Sequence, residues 1–391
     1  MIRVLELFAG IGACSKALTN LGIEHEIVDS VEIDKYAVQS FNAVHGTNFE
    51  PQDITKWDKD IEADLIMHGS PCQDFSVAGK NAGGDKGSGT RSSLMYETLR
   101  IVEKLKPKVV IWENVKNLLS KKHRHNFDAY IGAMCDMGYN SCWQVLNAKD
   151  YGVPQNRERV FTVSLAAGWP GEFAFPPKQE LTKRLKDVLE DNVDEKFYIK
   201  DATSLTVGTS FDVINGGTVG KMHDISRRAY HEDSIAPAMH TCQGGNTEPK
   251  VSVSVDISKT VRASGRGSMN RHTWDVVAVP IKTANKKGYD MATDGDGVDL
   301  SYPQSKTKRV RVGHGVSKTL MGADCMGTID NYRIRKLTPK ECWRLMSFDD
   351  EDFDKAKASG VSDSQLYKQA GNSIVVNVLE AILKNLLKEE L

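Results

Sequence analysis

The sequence predicts an α/β protein, an open doubly wound sheet with helices on both faces, joined to a smaller domain that is mostly β and irregular. Three observations predict it. From Met1 to about Leu165, short β-rich runs alternate with helical patterns, as in strands connected by helical crossovers. The first strand-to-helix junction holds a Gly-x-Gly turn, Gly10-Ile11-Gly12, at the kind of strand end where open α/β sheets bind ligands. From about Pro176 to Arg335 helical periodicity fades, and Gly, Ser, Thr and short β-branched runs dominate. The length of 391 residues fits more than one folded unit, and 40% hydrophobic with 26% charged residues supplies core material without a disordered composition.

Taken in order, Ile2 to Phe8 reads as a strand, Ala13 to Leu21 as a helix, Glu26 to Val31 as a strand and Lys35 to Val44 as a helix. Asp64 to His68 and Lys108 to Trp112 are apolar enough for buried strands, with a helix at Ser93 to Leu105 between them. A helix near Asn126 to Met137 and strands at Cys142 to Leu146 and Arg159 to Ser164 complete the pattern. Within the β-rich region, Ile235 to Met239, Ile257 to Val261 and Val316 to Leu320 form a weak internal repeat. Each copy precedes a Gly-rich turn, as stacked strand-turn units or chance matching in Ser/Thr/Gly-rich sequence would both give.

Helical patterning returns at Thr338-Pro339-Lys340-Glu341, an N-cap threonine with proline at the first helical position and a glutamate placed to close a capping box. Ile374, Val375, Val378, Leu379, Ile382, Leu383, Leu386 and Leu387 fall at helical spacing, so the last helix is amphipathic and needs a large surface to pack on. The acidic run Asp349 to Asp354 reads as a solvated surface. The expected domains are 1–175, 176–345 and a returning segment 346–391.

No run approaches the roughly 18 apolar residues of a membrane helix, and Met1 to Gly12 lacks the basic and apolar regions of an export leader. The seven cysteines are scattered and contain no Cys-x-x-Cys pair. Reduced thiols in the cytoplasm, with neither a disulfide framework nor a metal site, are the expectation. The net charge of -1 argues against a nucleic-acid partner until it is divided along the chain. Lys178 to Leu345 holds 27 Lys plus Arg against 21 Asp plus Glu, and the remainder 24 against 31. Between Lys250 and Leu345 the balance is 18 basic to 9 acidic, which suits a nucleic-acid-facing module on an acidic body.

The glycine turn departs from a dinucleotide fingerprint, which wants a third glycine where this chain has Ser15. A cofactor without a pyrophosphate, such as S-adenosylmethionine, needs only the close approach that Gly10 and Gly12 permit. Glu32, at the end of the second predicted strand, is placed to accept hydrogen bonds from ribose hydroxyls, and Asp53 to accept from an exocyclic adenine amine. The blander reading is a structural turn without a ligand.

Cys72, in Gly69-Ser70-Pro71-Cys72-Gln73-Asp74-Phe75-Ser76, follows the Asp64 to His68 strand at the same sheet edge. A lone cysteine is commonly a small buried hydrophobe, but a loop at a ligand-binding edge is not a core position. Gly79 to Arg91 holds five glycines, as a loop closing over a substrate or an ordinary flexible linker would. Ile111-Trp112-Glu113-Asn114-Val115 ends an apolar strand on a carboxylate whose desolvation would raise its pKa and let it donate near neutrality. Gln155-Asn156-Arg157-Glu158-Arg159 could aim a guanidinium at the same edge, although an ion pair explains each charge singly.

In this order, Phe8-Ala-Gly-Ile-Gly12, Glu32-Ile-Asp34, Asp53-Ile-Thr55, Pro71-Cys72-Gln73, Glu113-Asn-Val115, Gln155-x-Arg-x-Arg159 and Gln369-Ala-Gly-Asn-Ser373 resemble the DNA (cytosine-5) methyltransferase family of bacteria and phages. The resemblance implies a Rossmann-like S-adenosylmethionine-dependent sheet, a target-recognition domain that Arg335 to Phe348 would close, and a last helix returning to the catalytic sheet. It assigns Cys72 as the nucleophile at cytosine carbon 6, Glu113 to ring nitrogen 3, and Arg159 to the carbonyl oxygen, with Arg157 and Gln73 completing the catalytic set. The cytosine must leave the stacked duplex, with the Gly79 to Arg91 loop as lid.

For S-adenosyl-L-methionine the resemblance implies Phe8, Gly10, Ile11 and Gly12, then Glu32 and Ile33, Asp53 and Ile54, Leu94, and Asn372 with Ser373. Ile33 departs from relatives with an aromatic at that position, so adenine stacking should be weaker. Implied partners are double-stranded DNA and a cognate restriction endonuclease acting on the same site, with the enzyme itself a monomer. A tRNA-methylating relative shares these motifs but has a short recognition region with a Cys-Phe-Thr element absent here, and a silent DNA-binding homologue would not need Cys72, Glu113 and Arg159 together. Arg262, Arg266, Asn270, Arg271 and Lys306 to Arg311 are candidates for reading bases, with phosphate contacts or a plain solvated basic surface as the alternatives.

Overall fold

The computed structural model describes residues 1–71, 75, 83–85, 87–183, 185–197, 212–213, 277–293, 295–302, 305–309, 311–318, 326–330 and 333–387. Cys72, Gln73, much of the Gly79 to Arg91 loop, the first two copies of the repeat, and Arg262, Arg266, Asn270 and Arg271 lie outside the described residues.

The chain divides into two compact units, one built on Met1–Lys183 and Cys342–Leu391, the other on Arg184–Lys318 and Asp324–Glu341. In the first unit the described elements begin with β1 (Ile2–Leu7), α1 (Ala13–Asn20), β2 (His25–Val31), α2 (Lys35–His45) and β3 (Leu65–His68). They continue with α3 (Met95–Leu105), β4 (Val109–Val115), α4 (Arg124–Asp136), β5 (Tyr139–Asn147) and β6 (Glu158–Ala166). These match the strand and helix alternation of the sequence. The differences are local: a 3-10 turn (Arg91–Leu94) precedes α3, and β4 runs on to Val115, so Glu113 lies inside the strand.

The six strands are ordered β2-β1-β3-β4-β6-β5. β2, β1, β3 and β4 are parallel, while β6 runs antiparallel to both β4 and β5. The order reverses between β1 and β3, which makes their carboxyl ends the topological switch point where ligands of open sheets bind. The Gly10 turn leaves one of these ends and the Cys72 segment the other.

Period-two alternation assigns the faces of the sheet. Leu5 and Leu7 of β1, Ile66 of β3, and Val110 and Trp112 of β4 join one core with Met95, Ile101 and Val102 of α3 and Phe127, Tyr130 and Met134 of α4. On the opposite face, Glu6 bonds to Ser15 of α1. Against α1 packs the last helix, α8 (Val376–Leu386), burying Val378, Leu379, Ile382 and Leu383.

Two helices, α6 (Asp350–Ala358) and α7 (Asp363–Asn372), lead to it. Here the solvated reading of the acidic run holds for Asp349, Asp350, Glu351 and Asp354, which are exposed, and fails for Asp352. Asp349 caps α6 in a box with Asp352; Asp352 is 5% exposed, and the two carboxylates hold Lys16 at 2.6 and 2.8 Å. Asp352 looked solvated like its neighbours because charge density alone does not reveal a buried cation facing it.

The second unit holds β7 (Val277–Lys282), β8 (Tyr289–Thr293), β9 (Gly297–Asp299), β10 (Val312–Gly313), β11 (Met326–Asp330) and β12 (Arg333–Lys336), and α5 (Pro339–Arg344) begins in it and ends in the first. The capping box opening α5 is present: Glu341 accepts from the Thr338 N–H at 2.8 Å, and Thr338 Oγ1 from the Glu341 N–H at 3.2 Å. The short strand Asp212–Val213 pairs with β7, β7 with β8, and a separate sheet is ordered β10-β9-β11-β12. Ile281 of β7 joins Val298, Val312 and Ile329 of this sheet in one small core.

Leu379 and Leu383 are fully buried, so each should contribute as a core residue. Leu379→Ala is expected to destabilise the first unit by about 2–5 kcal/mol, read from its denaturant midpoint; a change below about 1 kcal/mol would mean that α8 does not pack as described.

Candidate active site

At the end of β1 the chain turns sharply through Phe8, Gly10 and Gly12, with φ of 53°, 57° and 80°. Phe8 is no glycine, and a left-handed backbone costs such a residue on the order of 1–2 kcal/mol, a cost that collects at functional turns. The turn is tied to the end of β2: the Ala9 N–H donates to the Val31 carbonyl at 3.3 Å and the Gly10 N–H to Glu32 Oε2 at 3.1 Å. Glu32 Oε1 accepts from the Asp34 N–H at 2.9 Å. Each carboxylate oxygen keeps a further lone pair for an incoming hydroxyl. Burial raises the pKa of Glu32 despite these backbone donors.

The two glycines differ. A Cβ on Gly10 would meet nothing within 4 Å, whereas one on Gly12 would overlap the His45 and Phe41 rings. The close approach at Gly12 is therefore to α2. Beside the turn Ile33 is 69% exposed. Asp53 caps a 3-10 turn, its Oδ1 accepting from the N–H and hydroxyl of Thr55 at 3.0 and 2.8 Å. Ile11 and Ile54 are buried and offer a ligand little side-chain surface, while Leu94 packs against the core only in part.

Helix α7 brings Asn372 and Ser373 to this edge. Gln369 donates to the Tyr36 carbonyl at 2.8 Å and accepts from Ser40 at 3.0 Å, and Lys368 pairs with Asp34. Asn372 is exposed at the end of α7, and Ser373 is 6% exposed.

Glu113 is opposite Phe161 in the β4–β6 register, and Arg159 lies two residues along from Phe161 on the same face. This diagonal brings Arg159 Nε to 2.9 Å from Glu113 Oε1. Burial raises the pKa of Glu113, and the positive charges of Arg159 and Arg157 only partly oppose it. The result is a carboxyl that holds its proton more tightly than usual at the mouth of the sheet.

Arg157 is 3% exposed, and its Nη2 donates to the carbonyls of Gly371 and Ser373 at 3.1 and 2.7 Å. Gln155 Nε2 donates to the Leu345 carbonyl at 2.8 Å. The Gln-x-Arg-x-Arg segment thus fastens the returning C-terminal segment with its first two side chains and pairs with Glu113 through its third.

Two positions escaped sequence reasoning. Glu6, 2% exposed, accepts from the Ser15 N–H at 3.0 Å and from the Ser15 hydroxyl. Ser15, noted only as a missing glycine, is its partner, and the polar residue inside an apolar strand was the available signal. Ser70 is the other: it accepts from Trp112 and Asn114, at 3% exposure. Among the proposed base readers, Arg311 is corrected. It is 1% exposed and donates to the carbonyls of Asp299, Ser301 and Tyr302, so it holds a loop together. Lys308 is engaged by Asp299, while Lys306 and Arg309 are exposed.

The sheet, with its switch point between β1 and β3, has the Rossmann-like fold of S-adenosylmethionine-dependent methyltransferases. Solved structures with the same fold include the Dnmt2 methyltransferase of S. pombe, at a TM-score of 0.56 and 18% identity, covering 100% of this chain and 99% of that one. The Entamoeba histolytica methyltransferase EhMeth has a TM-score of 0.56 and 15% identity, covering 100% and 98%.

The chain belongs to the C-5 cytosine-specific DNA methylase family, whose model matches residues 2–388. Orphan methyltransferase M.SPRI of Bacillus phage SPR is 33% identical over 445 residues, covering 99% of this chain and 97% of the relative. Type II methyltransferase M2.ScrFI of Lactococcus lactis subsp. cremoris is 31% identical, covering 100% of both. The protein is a DNA cytosine-5 methyltransferase with DNA as its substrate.

Glu6 generates a prediction. Burial, opposed by the Ser15 donors, moves its pKa from 4.5 to about 7. The folded state then retains a proton that the unfolded chain releases, so stability falls as pH rises from about 4.5 to 7 and levels off above. At its full extent this is roughly 3 kcal/mol. Glu6→Gln keeps an acceptor for Ser15 and should remove this component; unfolding midpoints that change with pH identically in both proteins would refute it.

Proposed function

We propose that the protein transfers a methyl group from S-adenosyl-L-methionine to carbon 5 of cytosine at a specific site in double-stranded DNA, through a covalent Cys72 adduct on a flipped base. The observation that carries the reading is Glu113: a buried carboxyl with a raised pKa, paired to Arg159, at the sheet edge reached by the Cys72 segment. Gly10 with open space beside it, Glu32 with spare acceptor capacity and exposed Ile33 fit a nucleoside whose linkage is not a pyrophosphate. In this reading Asp53, Asn372 and Ser373 complete that site. When bound, S-adenosylmethionine supplies an electrophilic methyl on its sulfonium.

Carbon 5 of cytosine is a poor nucleophile until the ring gains electrons. The thiolate of Cys72 adds to carbon 6, and the proton held by Glu113 meets the charge that develops at ring nitrogen 3. Arg159 contacts the carbonyl oxygen and keeps Glu113 in place. After methylation, loss of the carbon 5 proton expels Cys72 and restores the ring. Because carbon 6 is shielded in a stacked duplex, the base must leave the helix. Arg157 and Gln155 position the site from behind, and Gln73 belongs to the nucleophile segment. The second unit, with exposed Lys306 and Arg309, serves as the reader of the target sequence. The enzyme acts as a cytoplasmic monomer, and a cognate endonuclease acting on the same site would need no contact with it.

Incubation with labelled S-adenosylmethionine and DNA should place the label in 5-methylcytosine. Label in N4-methylcytosine or N6-methyladenine, or in tRNA alone, would overturn the reading. Cys72→Ala should abolish turnover, and Glu113→Gln should lower kcat by about 10²–10⁴-fold. DNA containing 5-fluorocytosine should trap the enzyme covalently, since fluorine blocks the elimination; no trapping under turnover conditions would remove the thiol adduct.

A further inference from the structure

The segment that leads to Cys72 is fixed by side chains for which the reaction itself has no use. Ser70 Oγ accepts from Trp112 Nε1 at 3.0 Å and from Asn114 Nδ2 at 3.2 Å, and Asn114 Nδ2 also reaches the Ser70 carbonyl at 3.2 Å. The Val115 N–H donates to Asn114 Oδ1 at 2.8 Å, which sets the amide orientation. Trp112 is itself immobilised: it stacks on His68 at 5.7 Å and 7°, and its ring lies 4.1 Å from that of Tyr130. The Tyr130 hydroxyl bonds to His68 Nε2 at 2.8 Å. Beyond the nucleophile, the carbonyl of fully buried Phe75 accepts from Asn117 Nδ2 at 2.6 Å.

The faces of β4 give this arrangement its meaning. In the parallel register His68 is beside Trp112, so Gly69 follows beside Glu113 and Ser70 beside Asn114. A Cβ on Gly69 would come 3.6 Å from Glu113 Oε2, which confirms that these two share a face. One rigid strand end therefore carries the acid on one side and grips the approach to the nucleophile on the other.

We infer that Ser70, gripped by Trp112 and Asn114, is a positioning residue that sets where the Cys72 segment begins relative to Glu113. This rests on the covalent reading above. Removing the Ser70 hydroxyl orphans the buried Trp112 Nε1 donor, leaves Asn114 only the Ser70 carbonyl and loosens the start of the segment, and a misplacement of about 1 Å costs a reaction on the order of 10²-fold. Binding at the β1–β2 end does not pass through these bonds.

The test is single-turnover trapping of the full-length enzyme on duplex DNA carrying 5-fluorocytosine in place of cytosine, with S-adenosylmethionine present. The thermal midpoint and the dissociation constant for S-adenosylmethionine are measured alongside. Ser70→Ala should slow adduct formation about 10–100-fold. Affinity for S-adenosylmethionine should stay within about twofold, separating a transition-state loss from a binding loss. Ser70→Thr, which restores the hydroxyl, should recover the rate. Ser70→Ala combined with Trp112→Phe should be no slower than Ser70→Ala alone, since both remove the same bond.

Trapping of Ser70→Ala at the wild-type rate overturns the inference, as does a slowing matched by an equal loss of S-adenosylmethionine affinity. Should Ser70→Ala fail to fold, Trp112→Phe, which keeps an aromatic ring in the stack, is judged by the same criteria. Failure of the wild type to trap overturns the covalent reading instead, and that measurement comes first.

Discussion

The strict two-residue alternation at the end of β4 is the constraint on which the site depends. Trp112 and Asn114 point into the α3–α4 face and Glu113 into the other, because a strand cannot do otherwise. The acid is therefore placed by the same backbone that holds Ser70 through its neighbours. Glu113 also needs β6, since only the antiparallel register brings Arg159 onto its diagonal. A one-residue slip between these strands would turn Arg159 to the wrong face and leave a buried carboxyl without its counter-charge. The antiparallel turn at the edge of an otherwise parallel sheet is in this sense part of the site.

The chain must also come back to itself. Val4 and Glu6 open toward α1, and without α8 that helix would lack a cover. Gln155 and Arg157 fasten the return at Leu345, Gly371 and Ser373, all main-chain carbonyls. Binding carbonyls fixes the path of the segment whatever side chains it bears. Gln369, donating to Tyr36 and accepting from Ser40, then holds the end of α7 against α2. Segments from opposite ends of the sequence meet at one edge through a handful of directed hydrogen bonds.

Much of the fold could be read in the sequence because period and punctuation are local. The elements from β1 to β6 and the Thr338 cap lie within a few residues of their expected places. Glu113 stood out as a carboxylate within an apolar run. The readings that failed concern partners distant in sequence. Asp352 looked solvated because Lys16, near the other end of the chain, gives no local sign of facing it. Arg311 looked like a DNA contact because a basic run does not reveal that one guanidinium is turned inward onto three carbonyls. Ser70 carried no signal, since a serine between glycine and proline reads as a turn.

The glycine turn shows the limit of a motif most plainly. By composition it is a dinucleotide fingerprint with its last glycine missing. In the structure Ser15 replaces that glycine for a positive reason, because its N–H and hydroxyl are donated to buried Glu6. The first turn of a helix ordinarily offers free N–H groups and a positive dipole end to a phosphate. Here a carboxyl of the protein takes one of those donors from beneath, and when ionised it opposes the field that would attract a pyrophosphate. Glu32 adds a second carboxylate above the turn, held by the Gly10 N–H. Glu32 suits a nucleoside of either kind, with or without a pyrophosphate, so the change at Ser15, and not the acid, sets this turn apart from a dinucleotide site. The departure from the fingerprint at Ser15 is therefore a donor committed to Glu6 inside the protein and no longer free for a phosphate.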